Sequence, residues 1–174
     1  MLSVHKREEA LRMLGTTTVQ GDGKPFYVCR NFGVYLNKKA LSNIPWVGYM
    51  NSTFRQMFCR KVESPPQGDA VLSYHLLQEP LADNLIIKEL GDRVETKLWM
   101  IWEFLKRQPR GEPGILLTNN QENIFYVGAD EEMRMVVSVE WSTRRDHWSV
   151  YLNLVGYLIE RPSNSQVFSL AQAA

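Results

Sequence analysis

A chain of 174 residues, 44% of them hydrophobic and 22% charged, has the balance of an ordinary globular protein, which excludes disordered and fibrous classes and predicts a single domain over residues 1–174. The first ten residues carry His5, Lys6, Arg7, Glu8 and Glu9, and no apolar run approaches the roughly 20 residues that cross a bilayer, so a soluble, cytoplasmic protein with no membrane partner is expected. The net charge of +1 hides an asymmetry, with +7 over residues 1–61, −7 over 62–133 and +1 over 134–174, which suits an anionic partner, an internal match or head-to-tail self-association.

In chain order, Ser3 is placed to cap a short amphipathic helix through Leu14, with Val4, Leu11 and Leu14 on one side and Gly15 as its stop. Gly21-Asp22-Gly23 reads as a turn. From Lys24 to Asn37 Phe26, Val28, Phe32, Val34 and Leu36 share one parity, which predicts one long strand or a hairpin broken near Asn31. Asn51 or Ser52 caps a helix with Phe54, Met57, Phe58 and Val62 at helical spacing. Ala70 to Glu79 satisfies both the helical and the strand period, and Asn84 to Leu90 predicts a helical turn or two. Asp92 and Glu95 form an Asp-x-x-Glu capping pattern ahead of a helix through Arg107, with Val94, Leu98, Ile101, Trp102 and Leu105 as its apolar stripe. Leu98 to Trp102 is apolar all round, which asks for burial on more than one side.

After Gly114 the period switches to two. Ile115 to Thr118, Asn123 to Val127, Met133 to Trp141 and Trp148 to Val155 read as successive strands, and a last short strand lies around Gln166 to Leu170. Short connections make antiparallel neighbours the default. The expected fold is therefore α+β: a C-terminal antiparallel meander of about four strands, plus an N-terminal strand or hairpin, packed on one face by helices.

No pattern asks for a cofactor or a metal. His5, His75 and His147 lack a second ligand at helical or turn spacing, Gly21-Asp22-Gly23-Lys24 leads into a strand rather than a phosphate-binding helix, and Cys29 and Cys59 read as two lone buried thiols. Asp146-His147 reads as a solvated turn, and His75, with Glu79 at i+4 if that stretch is helical, as a surface pair or a satisfied semi-buried histidine. Arg30-Asn31-Phe32-Gly33 resembles part of the aromatic core of the RNA-recognition motif, but Asn31 stands where that motif has glycine and Val34, Tyr35 and Leu36 do not continue it. A half-buried strand accounts for it.

Function is read from what remains. Five tryptophans are many for one small core, so Trp99, Trp102, Trp141, Trp148 and Tyr151 are the candidates for an apolar pocket or interface that takes a small apolar ligand, a protein partner or a second copy, a homodimer being favoured. The reading is a non-catalytic binding or interaction module of the orphan kind found in bacteria and mobile elements. Its alternative is a nucleic-acid binder using Arg30, Lys38, Lys39, Arg55, Arg60 and Lys61 on phosphates. An enzyme would need His75 or His147 brought against a carboxylate.

Overall fold

The fold comes from a computed structural model, described here for residues 10–33, 44–129, 133–156 and 159–172. Leu11–Asp22 is a twelve-residue strand, β1, and not the end of a helix. Thr16, Thr17, Thr18 and Val19 are β-branched in a row and favour extended backbone, and that run outweighs the helical spacing of Leu11 and Leu14. The helix expected from Ser3 otherwise lies outside the described residues. β1 pairs antiparallel with β5 (Gln67–Leu77), which settles the ambiguous stretch as strand, with Leu14 left out of register at a bulge between Met13 and Gly15.

The strand or hairpin expected from Lys24 is replaced by a two-residue β2 (Phe26–Tyr27) and a single helical turn, α1 (Val28–Phe32). β2 pairs with β4 (Val62–Glu63). Between them run β3 (Val47–Met50) and α2 (Ser52–Phe58). Asn51 caps α2 as anticipated, its Oδ1 accepting from Phe54 N at 3.1 Å, and the same side chain exchanges hydrogen bonds with Leu152 across the sheet. Leu81–Ala82 (β6) leads into α3 (Asp83–Leu90), the helical turns foreseen there.

The Asp92/Glu95 capping pattern is not used. Gly91–Val94 is a 3-10 turn, Glu95–Thr96 form β7, and the long helix α4 runs only from Leu98 to Arg107. Beyond it come β8 (Asn123–Gly128), β9 (Arg134–Ser142), β10 (His147–Leu154), β11 (Glu160–Arg161) and β12 (Gln166–Leu170). Ile115 to Thr118 is no strand. Side-chain amides satisfy its backbone instead: Gln108 accepts from Leu116 N at 2.8 Å and donates to Leu116 O at 3.0 Å, while Asn123 does the same for Leu117.

The expected α+β arrangement is overturned by the sheet itself, which is mixed and eight-stranded in the order β1-β5-β12-β8-β9-β10-β3, with β7 beside β8. The β8-β9-β10 meander is there, antiparallel throughout. β12, however, sits in the middle, antiparallel to β5 and parallel to β8, and β3 adds parallel to β10. Val167 and Phe168 are fully buried, which explains why a short terminal strand belongs in the centre.

Helices cover both faces, not one. On the first, Val137, Val139, Val150 and Leu152, all at or below 1% exposed, pack in one core with α1, α2 and α4. Each such side chain contributes about 1.5–3 kcal/mol by leaving water. On the second, Ile124, Tyr126, Val136 and Val167 join Leu11 and Leu77 beneath Ile86, Leu90 and Val94 of α3 and the 3-10 turn. No helix among the described residues is long and apolar enough to cross a membrane.

Candidate functional site

The N-terminal turn of α4 is held by a residue far away in sequence. Glu63, itself buried, accepts from Leu98 N at 3.2 Å and from Trp99 N at 2.9 Å, so a carboxylate on β4 occupies the positive end of the helix. Lys61 Nζ stands 4.0 Å from the same carboxylate and donates to Gly128 O at 2.5 Å. This tie fixes Trp99 between two hollows. One, of about 220 Å³, runs beside Trp102 and the turn at Gly21 to Pro25, with Asn31, Glu103 and Lys106 on its walls. The other, of about 420 Å³, is lined by Lys61, Glu63, Pro66, Ala70, Lys97, Trp99 and Met100, among others. The second volume lies within the range of small-molecule sites.

The five aromatic candidates do not converge. Trp99 is 3% and Trp102 7% exposed, and Trp102 leans on Phe32 at 5.2 Å between ring centres. Trp141 and Trp148 form an edge-to-face pair at 5.4 Å deep on the first face, and Trp148 Nε1 donates to Gln108 O at 2.8 Å. Tyr151 is on the opposite face, beside Tyr49 at 5.4 Å. The indoles fit the core because an eight-stranded sheet offers more interior than a four-stranded one.

Of the basic candidates, Arg30, Arg55 and Arg60 are exposed on or near α1 and α2, and Arg30 lies over the Tyr27 ring at 4.3 Å. Lys61 is engaged in the α4 anchor. Lys38 and Lys39 lie outside the described residues, as does His5. His75 is on a strand, so Glu79 is not brought to it by helical spacing; burial, and to a lesser degree Arg93, depress its basicity against a hydrogen bond at Val167. His147 begins β10, buried rather than solvated, with Nδ1 3.2 Å from Trp148 O. It packs over Gly48, where a β-carbon would fall 2.3 Å from its Cγ. His147 thus faces a carbonyl, and His75 Nδ1 is buried with no hydrogen-bond partner among the described residues.

A polar cluster that sequence reading missed sits on the second face. Asp83, fully buried, accepts from Arg161 Nε at 2.8 Å and Nη2 at 3.0 Å, from the Tyr126 hydroxyl at 2.9 Å and from Gly156 N at 3.1 Å. All its lone pairs are engaged, which is what a buried carboxylate requires. Burial, then Asp83, push the Tyr126 hydroxyl far above the ordinary tyrosine range. Glu122 and Glu140 complete the cluster, and Glu122 Oε2 and Ser165 Oγ have no protein hydrogen-bond partner. Burial raises both glutamates; for Glu122, Arg161 opposes this while Glu140 and Asp83 add to it. In sequence these residues are spread from 83 to 165, with no spacing that links them. Nor did sequence reading pair the two cysteines: Cys29 is exposed, not buried, and after burial it is the next influence that raises the Cys59 thiol.

No three or more His, Cys, Asp or Glu among the described residues form a group able to hold a metal ion. Compared with protein-family models, with curated proteins and with solved structures, the chain matches none of them.

Proposed function

We propose that the chain is a non-catalytic binding module that takes a small, flat, largely apolar molecule bearing an anionic group, seated in the hollow beside Trp99. The observation that carries this reading is the hollow's composition. Trp99, Met100, Pro66 and Ala70 give it an apolar wall, and Lys61 and Lys97 line it together with Glu63, whose charge Lys61 offsets. The Lys97–Glu95 pair, 2.8 Å apart and solvent-exposed, is weak enough to exchange for a ligand anion. The Glu63 anchor keeps the indole in place before the ligand arrives, so little ordering is left to oppose binding.

Anilinonaphthalene sulfonate is a suitable probe, being aromatic and anionic. Native protein should bind it saturably with quenching of tryptophan emission, and Ala70→Phe, which fills the hollow, should weaken binding at least about tenfold. Unchanged dye affinity in an Ala70→Phe protein with a native near-UV spectrum would defeat the proposal.

Self-association is a second reading, favoured by β1. It is twelve residues long, ends the sheet among the described residues, and exposes Met13 and Leu14. A second copy paired antiparallel on this edge sets Arg12 of one chain near Asp22 of the other, with Thr16 to Thr18 at the centre.

A further inference from the structure

Cys29 and Cys59 are far apart in sequence, yet the short β2–β4 ladder carries them together. Phe26 pairs with Glu63 and Tyr27 with Val62, and Val28 N then donates to Lys61 O at 3.2 Å, so the two chains are still side by side as each turns into helix. α1 and α2 pack there through Phe32 and Phe54, with ring centres 5.4 Å apart. Cys29 lies in the exposed part of α1, and Cys59, half-buried, ends α2 with its N–H on Arg55 O. That ladder and packing bring the two thiols close enough for Cys29 to influence the ionisation of Cys59. Each is followed directly by an arginine, Arg30 and Arg60, and Arg55 acts on Cys59 as a third nearby cation.

We propose that Cys29 and Cys59 are a reversible dithiol–disulfide site whose oxidant is a small anionic disulfide of the glutathione type. Cys29, the exposed thiol, attacks first. Its thiolate displaces one glutathione thiolate and forms a mixed disulfide; Cys59 then attacks the Cys29 sulfur and releases the second glutathione. Two protein thiols lose two electrons and two protons, and one oxidised glutathione becomes two reduced ones. The arginines draw in the anionic reagent. Cys59, half-buried at the end of α2, is placed to take the second step; burial and the neighbouring Cys29 raise its thiol, so it gives up its proton only as it attacks. The closed bond ties α1 to α2 and links the ends of a loop of about 30 residues.

The full chain is incubated with oxidised glutathione, quenched with acid and weighed without reductant. The expected product is about 2 Da lighter than the reduced protein, with a Cys29–Cys59 peptide after digestion. Cys59→Ser should stop at a stable glutathione adduct on Cys29, and Cys29→Ser should react roughly tenfold more slowly. Added salt should slow the reaction with glutathione disulfide more than with neutral hydroxyethyl disulfide. Wild-type protein ending with two glutathiones attached, with disulfide-linked dimers alone, or with unreacted thiols that respond only after denaturation would overturn the proposal.

Discussion

Glu122 is a charged side chain in a place that suits its neutral form. One of its oxygens is covered and has no protein partner, burial is the largest influence on its ionisation, and two more carboxylates lie close enough to add to it against Arg161. Its acidity in the folded state is therefore reduced below that of an ordinary glutamic acid, near 4.3. Between that value and the higher folded one, the folded protein holds a proton that the unfolded chain releases. Stability on this account falls as pH rises through the interval, and the loss is complete above the folded pKa. Glu122→Gln should thus raise the melting temperature at pH 7 to 8 and lose its advantage near pH 4, where both proteins are neutral at this position. A melting curve series against pH tests this; a glutamine variant less stable than wild type at pH 8 would mean that Arg161 has claimed the glutamate as a true ion-pair partner. His75 acts with the opposite sign. Its folded pKa is depressed, so the unfolded state takes up a proton first, and stability is lost as pH falls below about 6.5.

At the scale of elements, α4 shows how a local signal yields to a distant one. Asp92 and Glu95 have the spacing of a capping box, yet Glu95 is drawn into a parallel pairing with Tyr126 and its backbone is no longer available to a helix. The helix starts later, at Leu98, with Lys97 at the cap position and no capping bond from its side chain to the first turn. Glu63 supplies two charge-assisted bonds instead. Removing them leaves two N–H groups of a buried turn without acceptors, a loss of about 2–3 kcal/mol by the usual scale of bonds to charged groups. Glu63→Ala should lower the urea midpoint accordingly with the m-value unchanged, and should weaken dye binding beside Trp99. A loss under about 0.5 kcal/mol would show that solvent caps α4 adequately. The apolar stripe, the basic last turn and the burial of Leu98 to Trp102 were all legible from residue order, because they depend on helical periodicity alone. The true start was not, since a cap from thirty-odd positions upstream has no spacing to read. The same limit explains Ile115 to Thr118, whose alternation is that of a strand but whose partners are the amides of Gln108 and Asn123.

For the whole molecule, what periodicity could deliver was the meander, whose strands are neighbours both in sequence and in space. The position of β12 at the sheet's centre and the covering of both faces depend on crossovers, which no local pattern encodes. The polar cluster of Asp83, Arg161 and Glu122 on the second face is likewise assembled from three remote segments. Among the described residues the sheet ends at β1, and this end bears on assembly. A long, bulge-interrupted edge with two exposed apolar side chains is a template for pairing unless something blocks it. Arg107 reaches the Thr18 carbonyl and the Thr17 hydroxyl near the middle of that edge, so self-pairing there proceeds with Arg107 giving up these two contacts to the second copy. Arg12 and Asp22, at opposite ends and both exposed, remain complementary under antiparallel self-pairing, which produces a closed two-fold dimer rather than a filament. Light scattering should therefore find a dimer at about 10 µM that dissociates on dilution. Met13→Lys together with Leu14→Lys should give a monomer with an unchanged circular dichroism spectrum, because both positions are solvent-exposed and lysine is the residue that blunts strand edges. Wild-type protein that stays monomeric at every concentration ends this reading; a dimer indifferent to the two lysines would have to form through a surface other than β1.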